Sequence, residues 1–327
     1  SAPYCSVGGN LACNAAGPKA IKYGTPRENT LGLKAVTGLG DEIRTGVFTT
    51  KGVVGYDLTR LLLGSEGTLA IITEATLKLM PVPEAKKTFR AIYHSVLDAA
   101  SAISSIMSQP VIPCVLEFID GNAIDVIRKY SEIDLPKQAA AMLMIEVDGP
   151  EAGLDHAVSQ VAQSAKNQGL LDLSIAKTDA EIDTLWLART ALAPSLRKLA
   201  PKKIKEVLVV PVTEIPALIG GLDTLADKYQ LPIINFGHAG NGNIHVNLLL
   251  DPEKPGESDK ASCCLDDIFS LVLELKGTLS GEHGVGIEKR SFIDREIDVN
   301  TLQLMQKIKD QFDPKGILNP GKIFPPA

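Results

Sequence analysis

Nowhere in this 327-residue sequence do about 18 apolar residues follow one another, so no membrane-spanning helix is expected. A basic excess is also missing. Lys and Arg number 33 against 39 Asp and Glu, a net charge of −6, which argues against a general phosphate-backbone binder and leaves no nucleic-acid partner to expect. Cysteine is scarce. The five (Cys5, Cys13, Cys114, Cys263, Cys264) form no CxxC pair and their number is odd, which fits reduced thiols in a cytoplasmic chain better than a disulfide framework. No GxGxxG follows a strand-like run and no GxxxxGK[ST] occurs, so neither a nicotinamide Rossmann site nor a P-loop is supported. There is no short-period repeat, no low-complexity stretch and no signal-peptide pattern. The chain opens at Ser1, not Met, directly into a Gly-rich segment, and is expected to start inside a longer sequence.

What is present is ordinary globular material, with 45% hydrophobic and 22% charged residues and a length that suits about two domains. Leu31–Val36 and Leu69–Leu79 read as strands, and the proline-containing stretch Pro81–Ala85 as a domain boundary. Beyond it, strands and helices alternate. Thr88–Tyr93, Val111–Asp120, Ala140–Val147, Leu171–Ala176, Ile204–Pro211 and Leu231–Phe236 read as strands. Helices are expected from an N-cap at Ser95 to Met107 and over Glu151–Asn167, Asp179–Leu199, Glu214–Tyr229, Ser262–Lys276 and Asn300–Phe312. The order predicts an α+β domain on a mixed or antiparallel sheet.

Three of the five histidines fall in two motifs. In His238-Ala239-Gly240-Asn241-Gly242-Asn243-Ile244-His245, an Asn-Gly pair between strand-like runs is a hairpin signal. A two-residue loop at Asn241-Gly242 puts His238 directly opposite His245, on one face, where two imidazoles can chelate a divalent metal. The simpler reading is a pair of polar residues flanking a turn. In Gly281-Glu282-His283-Gly284-Val285-Gly286, adjacent side chains of an extended segment diverge, so Glu282 and His283 suit different roles, one on a metal and one facing a substrate; alone, the motif reads more readily as a polar turn after a helix. Gly8-Gly9-Asn10, Asn14 and Gly64-Ser65-Glu66-Gly67-Thr68 read as loops whose backbone N–H groups can approach a phosphate or flat cofactor.

Taken together, Val7–Asn10, Gly55–Thr68, Gly237–His245, Gly281–Gly286 and Phe312–Lys322 resemble, in order and spacing, the flavin-dependent 2-hydroxy-acid dehydrogenases of the vanillyl-alcohol oxidase superfamily. The branch is that of the flavin-binding chains of glycolate oxidases, the D-lactate dehydrogenases and the D-2-hydroxyglutarate dehydrogenases. The resemblance implies the second subdomain of a PCMH-type FAD-binding domain at residues 1–84, a cap with a ferredoxin-like antiparallel sheet at 85–299, and a segment returning to the flavin at 300–327; an earlier subdomain gripping the FAD pyrophosphate is missing. It implies FAD contacts from Gly8, Gly9, Asn10, Asn14, Gly64, Glu66, Gly67, Ile71 and Asn319. It also implies a divalent metal (Zn, Mn or Fe) on His238, His245 and Glu282, His283 as the base for the substrate hydroxyl, and Arg189 and Lys205 on its carboxylate. Ala193 replaces a threonine of the hydroxyglutarate branch, which favours D-lactate or glycolate as the small 2-hydroxy acid. The resemblance further allows an iron–sulfur or other electron-accepting subunit, a homodimer, and at most peripheral association with the inner membrane. Two other readings use the same residues. One is a flavin-free metallohydrolase built on the two histidines and Glu282, against which the Gly8–Asn10 and Gly64–Thr68 loops count. The other is a non-catalytic fragment or subunit of such an enzyme.

Overall fold

The computed structural model describes residues 5–130 and 135–326, the side chains of 188, 191 and 193 excepted; the substitution read at Ala193 therefore lies outside the described side chains. The chain opens with short helices α1 (Val7–Cys13), α2 (Ala20–Tyr23) and α3 (Pro26–Asn29). Strands β1 (Thr30–Thr37) and β2 (Glu42–Gly46), helix α4 (Leu58–Leu62) and strand β3 (Ala70–Leu77) follow. Next come β4 (Ala85–Tyr93), α5 (Val96–Ser108), β5 (Val115–Asp120), α6 (Gly121–Tyr130), β6 (Ala141–Gly149), α7 (Glu151–Ser164) and β7 (Leu170–Ile175). The remainder holds α8 (Asp179–Leu196), β8 (Lys202–Val209), α9 (Ile215–Tyr229), β9 (Ile233–His238), β10 (Asn243–Leu250), α10 (Glu257–Glu274) and α11 (Val299–Phe312).

Contacts divide the chain into two units. One comprises the chain up to Gly17, Tyr23–Pro81 and Leu279 onward; the other comprises Pro18–Lys22 and Val82–Thr278. The second unit's long segment begins directly after Pro81. The return to the first unit comes at Leu279.

In the first unit a three-stranded antiparallel sheet, ordered β2-β1-β3, packs Leu33, Ala35 and Ala70 against Leu11, Leu62 and Leu63, with Phe312 of α11 alongside. Buried Lys309 of α11 donates to the carbonyls of Thr68 (2.7 Å) and Leu318 (3.2 Å) and pairs with Asp313, whose carboxylate also accepts from Leu318 N at 2.8 Å. These bonds fasten the C-terminal segment within this unit.

The second unit is a seven-stranded sheet in the order β7-β4-β6-β5-β9-β10-β8, antiparallel at every pairing, which is the α+β antiparallel architecture expected. All residues of β5, β9 and β10 are buried, so these central strands have no solvent face. One face carries Ile92, Ile119, Met142, Met144, Ile234 and Phe236 against Ile124 and Ile127 of α6 and Leu192 and Leu196 of α8. Helices α5, α7, α9 and α10 belong to the other face, and α9 packs on α10. Among the described residues no helix is long and apolar enough to cross a membrane, and the five cysteines form no disulfide.

Several local expectations need correction. Gly8, Gly9 and Asn10 do not form a loop. They lie in α1, which starts where the Ser6 hydroxyl accepts from Gly9 N at 3.0 Å and ends at Asn14 in the left-handed region (φ 48°). The cap makes a helix of a segment whose two glycines disfavour one. Helix α6 was not expected. It follows β5 without a break because Asp120, the last strand residue, accepts from Ala123 N at 2.7 Å. Helix α7 stops at Ser164, short of the expected Asn167, and α10 begins at Glu257, ahead of Ser262.

Candidate active site

The hairpin between β9 and β10 is longer than a two-residue turn. Ala239–Asn241 form a turn of 3-10 helix, closed by Gly242 at φ 69°, and His238 pairs with Asn243 instead of His245. His245 pairs with Phe236. Paired residues share a face and alternate along a strand, so the four-residue loop moves His245 one step along the ladder without turning it to the other side. The two imidazoles meet edge to face with centroids 5.1 Å apart, and their ring nitrogens lie within 4.8 Å. Both histidines are nearly fully enclosed, 9% and 4% exposed.

The neighbouring strand completes the row. Glu117 of β5 pairs directly with His238, and its Oε1 accepts from His238 Nδ1. Its other oxygen, Oε2, accepts from Arg189 Nε at 2.7 Å, and the Arg189 guanidinium stacks 4.5 Å from the centre of the Phe236 ring. Leu185, Trp186, Leu192 and Leu196 hold α8 in the core on either side of Arg189. Glu117 is 2% exposed. Burial alone pushes its carboxyl up, but the hydrogen bond from His238 and the charge and hydrogen bond of Arg189 outweigh burial and hold the group below the usual carboxylate range. The face carries further polar atoms. Lys205 on β8, exposed, pairs with Asn247, which places it on the same face as His245. The buried side-chain oxygens of Asn243 and Asn247 have no hydrogen-bond partner among the described residues. Buried polar atoms of this kind are rare in folded proteins and call for a ligand, water or ion.

The remaining expected site residues belong to the first unit. Gly64, Glu66 and Gly67 form a turn entirely in the left-handed region outside Ser65, with φ of 80°, 53° and 69°. The Glu66 carboxylate accepts from Val285 N at 2.6 Å and Gly286 N at 2.8 Å, and its backbone carbonyl accepts from Asn319 Nδ2 at 2.6 Å. Thus Glu66 fastens the Gly281–Gly286 loop to the Gly64–Gly67 turn. The loop presents His283 at its surface, 45% exposed at the side chain, with Glu282 mostly enclosed at 12% and 3.8 Å from His283 Nε2. Asn14 accepts at its side-chain oxygen from Arg27 N (2.9 Å) and Thr25 Oγ1 (3.1 Å), a local structural use. Ile71, on β3, is 52% exposed.

The fold therefore joins His238 and His245 on one face, with Arg189 and Lys205 on elements bordering it. It adds Glu117, which motif reading did not single out. Its signal is the acid in the middle of Val115-Leu116-Glu117-Phe118-Ile119, an otherwise apolar run.

The chain resembles known proteins over most of its length. Residues 82–323 match the FAD linked oxidases, C-terminal domain. A glycolate oxidase subunit GlcD of Bacillus subtilis (strain 168) is 40% identical over 319 residues, covering 98% of this chain and 68% of the relative. The mitochondrial D-lactate dehydrogenase [cytochrome] of Arabidopsis thaliana is 32% identical over 99% of this chain and 57% of its own length. Against Escherichia coli (strain K12) GlcD, at 33% identity, the chain spans 64% of the relative, so it corresponds to about two thirds of the curated proteins it matches. The backbone also follows that of p-cresol methylhydroxylase with substrate bound (TM-score 0.73, 16% identity, 97% of this chain and 68% of the other), a likeness of fold alone. With the C-terminal domain signature spanning most of the sequence and a relative at 40% identity across nearly all of it, the chain belongs to the FAD-linked oxidases.

Proposed function

We propose that the enzyme containing this chain oxidises a small D-2-hydroxy acid, D-lactate or glycolate, to the 2-oxo acid with FAD as hydride acceptor. The observation that carries the reading is the pair of imidazoles on one sheet face beside an arginine anchored by a buried carboxylate, in a chain 40% identical to a glycolate oxidase subunit. Two neutral imidazoles suit a divalent cation, and the partnerless amide oxygens of Asn243 and Asn247 supply the polar lining that such a ligand needs. His238 and His245, with Glu282 as the third donor, would hold Zn, Mn or Fe, and the cation lowers the pKa of a hydroxyl bound to it. When bound, the flavin supplies the redox chemistry.

The chain's own residues do the rest. Arg189 receives the substrate carboxylate on the guanidinium edge away from Nε, since Nε is given to Glu117. Lys205 adds a second positive charge to the same carboxylate. Imidazole is the side chain whose basicity suits proton transfer near neutral pH, and His283 takes the hydroxyl proton on a ring nitrogen. The turn formed by Gly64, Glu66 and Gly67, with Asn319 bonded to it, is the flavin-facing part of the first unit in this reading, with Gly8, Gly9, Asn10, Asn14 and Ile71 as further contacts. Residues 1–84 would then be part of the FAD-binding domain and 85–299 the cap. A role as one subunit beside an electron-accepting partner is consistent with the relatives named as subunits.

The test is an absorbance spectrum of the full-length enzyme, anaerobically, before and after D-lactate and glycolate. Bleaching of the flavin bands is expected, and His283→Ala should slow it by about 10²–10⁴-fold. A flavin-loaded enzyme that neither acid bleaches refutes the proposal.

A further inference from the structure

Glu117 is an expensive residue to place where it is. It sits at the middle of the central sheet, 2% exposed, in a row whose next member is Met144 on β6. An apolar side chain would fill the same space without the desolvation that a carboxylate suffers, and a buried ion pair is in general no more stabilising than its apolar replacement. The carboxylate's two oxygens are moreover divided between two groups of different function: Oε1 takes His238 Nδ1, and Oε2 takes Arg189 Nε.

We infer that Glu117 is a positioning residue that joins the metal site to the substrate-carboxylate site. Through Oε1 it fixes His238 in the tautomer protonated at Nδ1. A neutral imidazole carries one ring proton, so Nε2 of His238 is then the basic nitrogen, the form and the atom required of a metal ligand. Direct cross-strand pairing of Glu117 with His238 holds the ring plane as well as the tautomer. Through Oε2 the same carboxylate aligns the guanidinium that stacks on Phe236, and Phe236 is itself the ladder partner of His245. One side chain thereby sets the position of His238, which would hold the metal, relative to Arg189, which would take the substrate carboxylate. A structural plug would have no reason to engage both groups.

The inference rests on the proposed metal and substrate roles, and the experiment separates them. Zn²⁺ affinity of the full chain is measured by chelator competition for wild type, His238→Ala, Glu117→Ala and Glu117→Gln, and the His238 tautomer is read from ¹⁵N–¹H correlation of the metal-free ring. Glu117→Ala should weaken Zn²⁺ by about 10–100-fold and abolish the Nδ1–H preference of His238. Glu117→Gln is isosteric and guards against misfolding. Its amide oxygen still accepts from His238, while its amide NH₂ faces the Arg189 donor. It should retain the tautomer and most of the Zn²⁺ affinity, and raise KM for the hydroxy acid by about tenfold or more in the flavin-loaded enzyme while changing kcat less. Wild-type affinity and tautomer in Glu117→Ala, with Zn²⁺ lost in His238→Ala, overturns the inference and leaves the metal site standing. Unchanged Zn²⁺ binding in His238→Ala overturns both.

Discussion

The hairpin that delivers the two histidines is set by a contrast between two glycines, and the contrast is measurable. A methyl on Gly242 would lie 1.8 Å from the carbonyl oxygen of Val210, and the residue sits at φ +69°, where an L side chain is strained. Ordinary contact begins near 3.4 Å, so β10 would have to part from the end of β8 by about 1.5 Å. Such a shift also strains the bond from Val210 N to Gly242 O, 3.1 Å long. The left-handed backbone costs roughly 1–2 kcal/mol, the hydrogen bond about 1 kcal/mol, and overpacking about 1 kcal/mol or more, so Gly242→Ala should lose about 3–5 kcal/mol. Gly240 faces a different obstacle. Its added methyl would meet the Cδ1 of Ile21, also at 1.8 Å, but that atom is the far end of a flexible, half-buried side chain on the 18–22 segment. Gly240→Ala should cost about 1–2 kcal/mol, and most of that should vanish when Ile21 is cut to alanine as well. Urea unfolding of the single variants, Ile21→Ala and the doubles gives the coupling directly. If Ile21→Ala relieves Gly242→Ala as well as it relieves Gly240→Ala, or if the two glycine variants cost the same, the backbone argument fails.

Two carboxylates that accept backbone N–H groups give further predictions. Burial pushes Asp120 up to about 7, with the Asp223 charge adding to it, although Ala123 N and the backbone and side-chain nitrogens of Asn235 all donate to the carboxylate. The folded state therefore holds the proton more tightly than the unfolded chain, whose carboxyl titrates near 3.8, and this contribution is full at low pH and lost as pH rises to about 7. Between pH 5 and 8 the wild type should lose about 3 kcal/mol from this group by urea unfolding; Asp120→Asn should show a flatter profile, and an unchanged profile would refute the assignment. In the first unit, Glu66→Ala removes both acceptors for the 285 and 286 amides. Hydrogen exchange should show the opening free energy at Val285 and Gly286 falling by about 2 kcal/mol while β1 amides keep their protection; equal losses at both would mean global destabilisation instead.

Much of the second unit was legible because its signals are local. Ala140–Val147 is a continuous apolar run stopped by Asp148-Gly149-Pro150, and it is the buried strand β6. Ser95 caps α5 as read, accepting from Asp98 N at 3.1 Å. The histidine motif gave the right face and the wrong partner. Asn-Gly marks a turn, but the choice of a 3-10 turn over a two-residue loop depends on Gly242 fitting beneath Val210, a residue of the segment after β8 that the motif does not contain. Helix α6 escaped notice because its cap, Asp120, is also the last residue of a strand, and a pattern that assigns each residue to one element cannot credit both.

Glu117 marks where the reading of periodicity stops and that of topology starts. Its partners lie 72 and 121 residues away, so no motif window joins them. Yet Glu117 is not silent in the sequence. In an edge strand an acid amid Val, Leu, Phe and Ile points to water and means nothing. Strand β5 has β6 on one side and β9 on the other, with helices on both faces, so water is not available to it. Once a strand is known to be central, each acid on it must find a cation or a set of N–H donors inside the protein. Applied to β5, that requirement selects two residues. Asp120 meets it with Asn235 and the start of α6, which is a structural answer. Glu117 meets it with His238 and Arg189, the two side chains to which the family resemblance separately gives a metal and a substrate carboxylate. The buried acid is thus the physical link between two assignments that sequence spacing alone could not connect.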